Sequence, residues 1–264
     1  MIGINNLGMN GRLGNQMFQY AALVGISHNL KYEYIIPNNG NDLTECFLLE
    51  SCTNRGLIDG DEVFLHETHE FCEDIFNQCP DDVTLNGYFQ TEKYFKNVEN
   101  IIRKDFSFKE NIQQLVFSLY NDLSDYISIV VRRYKDDFDY IGCSDNHRNL
   151  PIEYYEETMN IFGQNQKYII CSNDIDWCKK QKIFQKENII LNDVEVECKP
   201  YFDLCLISNC KNFIISNSSF SWWGAWLGSN KNKKILAPKQ WYGQGLSHIN
   251  TKDLFLEEWM LIKK

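Results

Sequence analysis

The chain has 264 residues, of which 44% are hydrophobic and 14% aromatic. That is enough apolar material for one large or two small cores and excludes global disorder. A formal net charge of −10 and a pI near 5.0 disfavour the non-specific binding to nucleic acid that needs a basic face, but do not exclude a phosphate ligand held by a few local cations.

Met1 to Asn6 is expected to be an opening strand, followed by Gly8-Met9-Asn10-Gly11-Arg12-Leu13-Gly14-Asn15-Gln16 and a helix over Met17–Leu30. Gly11 and Gly14 suit a close backbone approach or a positive φ, and Arg12, Asn15 and Gln16 offer donors in one place. The spacing is not the dinucleotide pattern G-x-G-x-x-G, and a plain strand-to-helix turn is the alternative. A second strand is expected at Lys31–Ile36, with further short strands at Glu62–Leu65 and Val83–Leu85. A helix capped near Thr91 follows, then an apolar stripe over Ser107–Leu123 (Ile112, Leu115, Val116, Leu119, Leu123).

Ile127–Val131 is β-branched at nearly every position, as in a parallel strand covered on both faces, and ends in Arg132-Arg133. Beyond it helix and strand alternate: helix Ile152–Phe162, strand Tyr168–Cys171, a short helix after Asn173-Asp174, strand Ile189–Leu191, helix Tyr201–Ser208, strand Phe213–Ile215, helix Phe220–Leu227 and strand Lys234–Ala237. Such alternation predicts βαβ units and a parallel sheet. The chain is divided into residues 1–104 and 105–264, two α/β halves with the glycine-rich turn and the Ser216-Asn217-Ser218-Ser219 turn expected on a shared cleft.

Three features suit a nucleoside diphosphate. Ser216–Ser219 joins a buried strand to a buried helix, so free N–H groups and the positive end of the helix dipole meet there. An N-capped core helix with no ligand is the alternative. Arg132 and Arg133 stand at the carboxyl end of a strand, where ligands of open α/β sheets bind. Adjacent residues of a strand point to opposite faces, so one is expected as a phosphate clamp and the other as a structural ion pair, with two structural arginines as the alternative. Asp203, in an otherwise apolar helix, must find donors if it is buried, and guanine offers N1–H and N2–H₂ side by side; an exposed Asp favoured by the dipole near the helix N-terminus is the alternative.

The ten cysteines form no C-x-x-C pair, and the five histidines are not at zinc-site spacing. No metal site is expected, and the cysteines are expected to be reduced, semi-buried small hydrophobes in a cytoplasmic protein. Nor is there a run of about 18 apolar residues that could span a bilayer. The parts of Walker-loop, G-x-S-x-G and H-E-x-x-H chemistry are missing.

Gly11-Arg12-Leu13-Gly14-Asn15-Gln16-Met17-Phe18-Gln19-Tyr20-Ala21 and Asn217-Ser218-Ser219-Phe220-Ser221-Trp222-Trp223-Gly224-Ala225-Trp226 resemble the α-1,2-fucosyltransferase family, glycosyltransferase family 11. Gly87-Tyr88-Phe89-Gln90, Ser172-Asn173-Asp174, Asp203 to Cys210 and Ala237 to Tyr242 are similar to it in the same order. The resemblance implies a GT-B-like fold and transfer of L-fucose from GDP-β-L-fucose, with inversion, to the 2-hydroxyl of a terminal galactoside. GDP-fucose is then a substrate, with no cofactor, metal or nucleic-acid partner, and the acceptor is a galactose-terminated glycan such as a surface polysaccharide precursor. The expected location is the cytoplasm, with peripheral attachment at the inner face of the membrane left open. Arg132 and Arg133 are implied to meet the β-phosphate, and Asp203 to read guanine. Arg12, Gly14, Asn15, Gln16, Asp174, Asn217, Ser218 and Ser219 complete the donor site.

Where the family has H-V-R-R-G-D-Y, this chain has Val130-Val131-Arg132-Arg133-Tyr134-Lys135-Asp136, so a general base at Asp136 requires a one-residue shift. Two other readings follow from this departure: transfer of another nucleotide-linked deoxysugar, or a non-catalytic nucleotide-sugar or glycan-binding module.

Overall fold

The computed structural model describes all residues except 39, 65–69, 135–142 and 164, and leaves the side chains of 143 and 144 undescribed. The chain forms two units, Met1–Glu110 with Ile249–Leu256, and Asn111–His248 with Glu257–Lys264.

In the first unit, β1 (Ile2–Gly3) leads through the glycine-rich turn into α1 (Leu13–Leu30). Then come β2 (Tyr34–Ile35), α2 (Leu43–Cys46), β3 (Asp61–Phe64), α3 (Glu73–Gln78), β4 (Val83–Asn86) and α4 (Glu99–Asp105). The four strands form a parallel sheet in the order β2-β1-β4-β3. Buried residues cover α1 on every side from Leu13 to Ser27, so it is a core helix and not an amphipathic surface helix. It starts four residues before the expected Met17, which puts Gly14 inside the helix. Only Gly11 of the pair has a positive φ, +100°. A Cβ on Gly11 would also strike the Asn15 side chain at 2.4 Å.

The boundary helix α5 (Glu110–Leu119) is shorter than the expected Ser107–Leu123 for two reasons. The backbone around Phe108 pairs with Phe47, Leu48 N–H donating to Ser107 O (3.0 Å) and Lys109 N–H to Cys46 O (3.1 Å), which holds 107–109 extended. At the other end Asp122 adopts φ +55°, a left-handed conformation that no helix continues through.

The second unit continues with β5 (Tyr126–Val131), α6 (Cys143–Asn146), α7 (Ile152–Phe162), β6 (Lys167–Ser172), α8 (Ile175–Lys179), β7 (Ile189–Leu191), α9 (Lys199–Ser208), β8 (Asn212–Ile214), α10 (Ser219–Leu227), β9 (Ile235–Pro238) and β10 (Met260–Ile262). Its six parallel strands lie in the order β10-β9-β8-β5-β6-β7. Read in chain order this is 3-2-1-4-5-6, the Rossmann arrangement, with the sequence direction reversing between β5 and β8. The expectation of α/β, GT-B-like architecture with Rossmann-like parallel sheets is met. β10 was not expected, because three residues at a sheet edge leave little periodic signal.

The core beside this sheet joins Ile127, Ile129 and Val131 of β5 to Tyr154, Tyr155 and Met159 of α7 and Tyr168 and Ile170 of β6. Tyr154, fully buried, donates to Ile215 O at 2.6 Å and so ties α7 to the segment leaving β8. A second packing centre is the indole cluster of α10. Trp222 and Trp223 lie 5.1 Å apart at 71°, and Trp259 packs on Trp222 at 5.3 Å. Among the described residues no helix is long and apolar enough to cross a membrane.

Candidate active site

The register of the second sheet gathers the candidate residues. Ile129 of β5 pairs with Ile214 of β8 on one side and with Ile170 of β6 on the other, and Ile170 pairs with Leu191 of β7. The segments that follow are therefore neighbours along one carboxyl edge: Asn217–Ser219 after β8, Arg132–Tyr134 after β5, Asn173–Asp174 after β6 and Asn192 after β7. The reversal of strand order opens between the first two, which is where open α/β sheets bind ligands.

Hydrogen bonds fix these segments to each other. Arg133 N–H donates to Asn173 Oδ1 and Asn173 Nδ2 donates back to Arg133 O, both at 2.8 Å. Tyr134 Oη donates to Asn217 O at 2.8 Å, and Asn149 braces the Tyr134 backbone from both sides, at 2.7 and 3.0 Å. Asn217 Nδ2 donates to Arg148 O (2.9 Å) and Trp241 O (3.0 Å). Asn217 thus shapes the turn with its side chain, which is buried.

The two guanidiniums lie on different aromatic rings. Arg133 lies over the Trp177 ring at 4.3 Å and Arg132 over the Tyr134 ring at 5.1 Å. Among the described residues neither has a carboxylate within ion-pair distance. Asp136, the expected base, lies outside the described residues, as do Lys135 and two of the five histidines, His66 and His69.

At α10 the residue at the N-cap, Ser218, is in extended conformation, yet its hydroxyl makes no capping bond to the helix. Ser221 instead turns back, its Oγ donating to Ser216 O and Ser218 O, both at 2.8 Å. Ser218, Ser219 and Phe220 are all only half-buried, so the first turn of α10 stays open to a ligand. Its other end is closed: Lys233 Nζ donates to Ala225 O, Trp226 O and Gly228 O at 2.7–2.8 Å, a cation on the carbonyls at the negative end of the dipole.

Asp174 caps α8, accepting from Trp177 N–H at 3.2 Å, and this places the Trp177 ring beneath Arg133. Asp203 in α9 is 8% exposed. Its Oδ1 accepts from Lys199 Nζ at 2.5 Å and from Asn192 Nδ2 at 2.7 Å, and Asn192 in turn accepts from Tyr120 Oη at 2.9 Å. Burial raises the Asp203 carboxyl above its ordinary pKa, against the opposing pull of Lys199 and Asn192.

The first-unit candidates are arranged around the Gly11 turn. Arg12 is exposed at the N-cap of α1, and Asn15 Oδ1 accepts from Gln90 Nε2 at 2.9 Å. Gln16 is buried and committed at both ends of its amide. Its Nε2 donates to Asp42 Oδ2 at 2.8 Å, and its Oε1 accepts from Asp42 N–H at 2.7 Å.

Four participants were not expected from the sequence: Lys199, Asn192, Tyr134 and His147. His147 stacks on Tyr134 at 4.9 Å and 13°, and burial followed by the Arg132 charge lowers its pKa. Lys199 carries a local signal, since it stands one helical turn before Asp203. His147 carries none, because loops bring it to Tyr134.

The profile described as Glycosyl transferase family 11 matches residues 66–263. An Escherichia coli O-antigen biosynthesis glycosyltransferase, WbnK, is 26% identical over 96% of this chain and 98% of its own length. An Escherichia coli alpha-1,2-colitosyltransferase is 29% identical over 75% of this chain and 69% of its own. A galactoside alpha-(1,2)-fucosyltransferase 1 of Alouatta caraya is 21% identical over 95% and 72%. Among solved structures, a variant of Arabidopsis thaliana FUT1 in complex with GDP superposes with a TM-score of 0.56 at 13% identity, covering 89% of this chain and 69% of that one. The strand order, the segments gathered at the carboxyl edge and a profile match over most of its length agree, and this chain belongs to glycosyl transferase family 11.

Proposed function

We propose that the chain is an inverting, metal-independent transferase that moves L-fucose from GDP-β-L-fucose to the 2-hydroxyl of a terminal galactoside, in the cytoplasm, on a surface polysaccharide precursor. The acceptor oxygen attacks the anomeric carbon, the bond from that carbon to the β-phosphate oxygen breaks, and GDP leaves with the electron pair. The observation that carries the reading is the Arg132–Arg133 pair at the strand-order reversal, with no carboxylate partner among the described residues and next to the open first turn of α10. Fixed cations and N–H donors aimed at a departing diphosphate are electrostatic catalysis.

In this reading Arg132, Arg133 and the Ser218–Ser219 backbone hold the pyrophosphate and Asp203 takes the guanine. Arg12 and Asn15 are donor contacts, while Gly14, Gln16, Asp174 and Asn217 act by shaping the turns they belong to. Asp136 is the proposed base for the acceptor proton.

The test is transfer of labelled fucose from GDP-fucose to lactose and to Gal-β-1,3-GalNAc in the presence of EDTA, with linkage analysis of the product. An α-1,2-fucosylated product is expected. Neither transfer nor thermal protection by GDP would sink the transferase reading. A second donor is favoured by one observation, the similarity to an alpha-1,2-colitosyltransferase. GDP protection without fucose transfer would point to that reading, and transfer of colitose from its nucleotide donor would establish it.

A further inference from the structure

The Asp203 cluster is more lopsided than an ordinary buried ion pair. Both donors that reach the carboxylate, Lys199 Nζ at 2.5 Å and Asn192 Nδ2 at 2.7 Å, converge on Oδ1. Among the described residues Oδ2 accepts no hydrogen bond, which leaves it available to a donor on a ligand. The Tyr120–Asn192 hydrogen bond holds the amide that orients the carboxylate, so its plane is set before any ligand arrives. Lys199 gives one N–H to Asp203 and has no other acceptor among the described residues, while its side chain is 31% exposed. The pair therefore presents one ammonium donor beside one free carboxylate acceptor.

Lys199 of this pair borders a suitable space. An open depression of about 460 Å³ is lined by Val194, Glu195, Val196, Glu197 and Lys199. Two valines offer apolar surface to a planar ring, and two glutamates disfavour phosphate, which the arginines at the end of β5 attract instead. The depression is suited to the uncharged end of a nucleotide.

We infer that Lys199 is a specificity-determining residue that donates to the O6 carbonyl of guanine while Asp203 Oδ2 accepts from N1–H and the 2-amino group. This rests on the proposal that Asp203 reads guanine and adds the half of the base that a carboxylate cannot read. Guanine places a carbonyl, an N–H and an amino group in a row. Uracil has the carbonyl and the N–H but sets its second carbonyl against the carboxylate. Adenine sets its amino group against the ammonium and its N1 lone pair against Oδ2. Both mismatches leave buried polar groups opposed, which is how such sites reject competitors.

The experiment measures affinities of the full chain for GDP, 6-thio-GDP and IDP by titration calorimetry near neutral pH. Sulfur at position 6 is a poor acceptor but leaves N1–H and the 2-amino group in place, whereas IDP keeps O6 and lacks the amino group. The parent is expected to prefer GDP over 6-thio-GDP by about tenfold, the worth of one hydrogen bond to a charged group. Lys199→Met and Lys199→Gln are expected to bring that ratio close to one, with Lys199→Arg retaining a preference. Asp203→Asn is expected to keep the ratio and to lose the preference for GDP over IDP.

A merely structural Lys199 would lower both affinities in Lys199→Met and leave the ratio as in the parent, and that outcome overturns the inference. So does a parent that binds GDP and 6-thio-GDP equally. A parent that binds no GDP overturns the guanine reading itself, and an Asp203→Asn variant with unchanged GDP and IDP affinities overturns the role of Asp203.

Discussion

Arg133 is the more rigidly held of the two guanidiniums, lying on Trp177 with its backbone bracketed by the Asn173 amide. That rigidity limits the side-chain entropy lost when a diphosphate is clamped. Arg133→Ala is expected to lower kcat for fucose transfer by roughly 10²–10³, the range for losing one preorganised charge-stabilising group. Arg133→Lys should recover little of this, because an ammonium has neither the planar stack nor the two-pronged fork. Steady-state kinetics with folded variants decides it, and full rates in both Arg132→Ala and Arg133→Ala would remove the electrostatic role. At Asp203 the raised pKa has a consequence for stability. A carboxyl that holds its proton more firmly when folded contributes stability below the ordinary carboxylate range, and that contribution is lost as pH rises through its folded pKa. At neutral pH the native state therefore carries a cost for the buried charge. Asp203→Asn is expected to melt no lower than the parent at neutral pH, the gap closing as acid neutralises the parent carboxyl. Thermal melts across pH check this. A variant that melts lower at neutral pH and catches up in acid would show that the Lys199 pair outweighs burial. The sequence exposed Arg132, Arg133 and Asp203 because charged residues interrupt or terminate apolar runs. It concealed His147 and Asn192, which have no apolar periodicity to interrupt and are brought into place by loops and by the end of a three-residue strand.

Among the elements, α10 is asymmetric by construction. Its carbonyl end is closed by Lys233, whereas Ser218 at its amide end makes no side-chain cap bond. Its contact with α9 depends on the absence of a side chain at Gly224, where a Cβ would lie 2.6 Å from Ile207 Cγ2. Gly224→Ala is expected to destabilise the protein by about 1–3 kcal/mol through overpacking, despite the better helix propensity of alanine. Urea unfolding followed by tryptophan fluorescence measures this, and an unchanged midpoint would mean that the helices separate at no cost. α10 could be recognised from its aromatic run. Its missing cap could not, since Ser at an N-cap ordinarily signals a bond from its own hydroxyl, and here Ser221 makes the hydroxyl bonds that shape the turn.

For the whole molecule, legibility followed strand length and burial. The six-residue strands β5 and β6 lie inside the sheet, and their largely buried, mostly apolar runs mark them. β1 and β2 have two residues each, so the strands expected at Met1–Asn6 and Lys31–Ile36 found them but overran their ends, and the helices α2, α3 and α4 are short and irregularly apolar. A net charge of −10 coexists with two adjacent arginines, Arg132 and Arg133, just after β5. Bulk charge therefore says little about the ligand.

The path of residues 249–264 bears on how the protein matures. Ile249–Leu256 belongs to the first unit, where Asp253 pairs with Lys93 and accepts from Phe71 N–H. Glu257–Lys264 belongs to the second, where Trp259 packs on Trp222 and β10 pairs with β9. Synthesis runs from the N-terminus, and domains ordinarily fold in that order as they emerge. Here a nascent chain that has reached only His248 holds two unfinished units, each waiting for a part of the same short segment. Completion of both units is therefore expected to wait for one short stretch of chain, a shared late step in place of two successive ones.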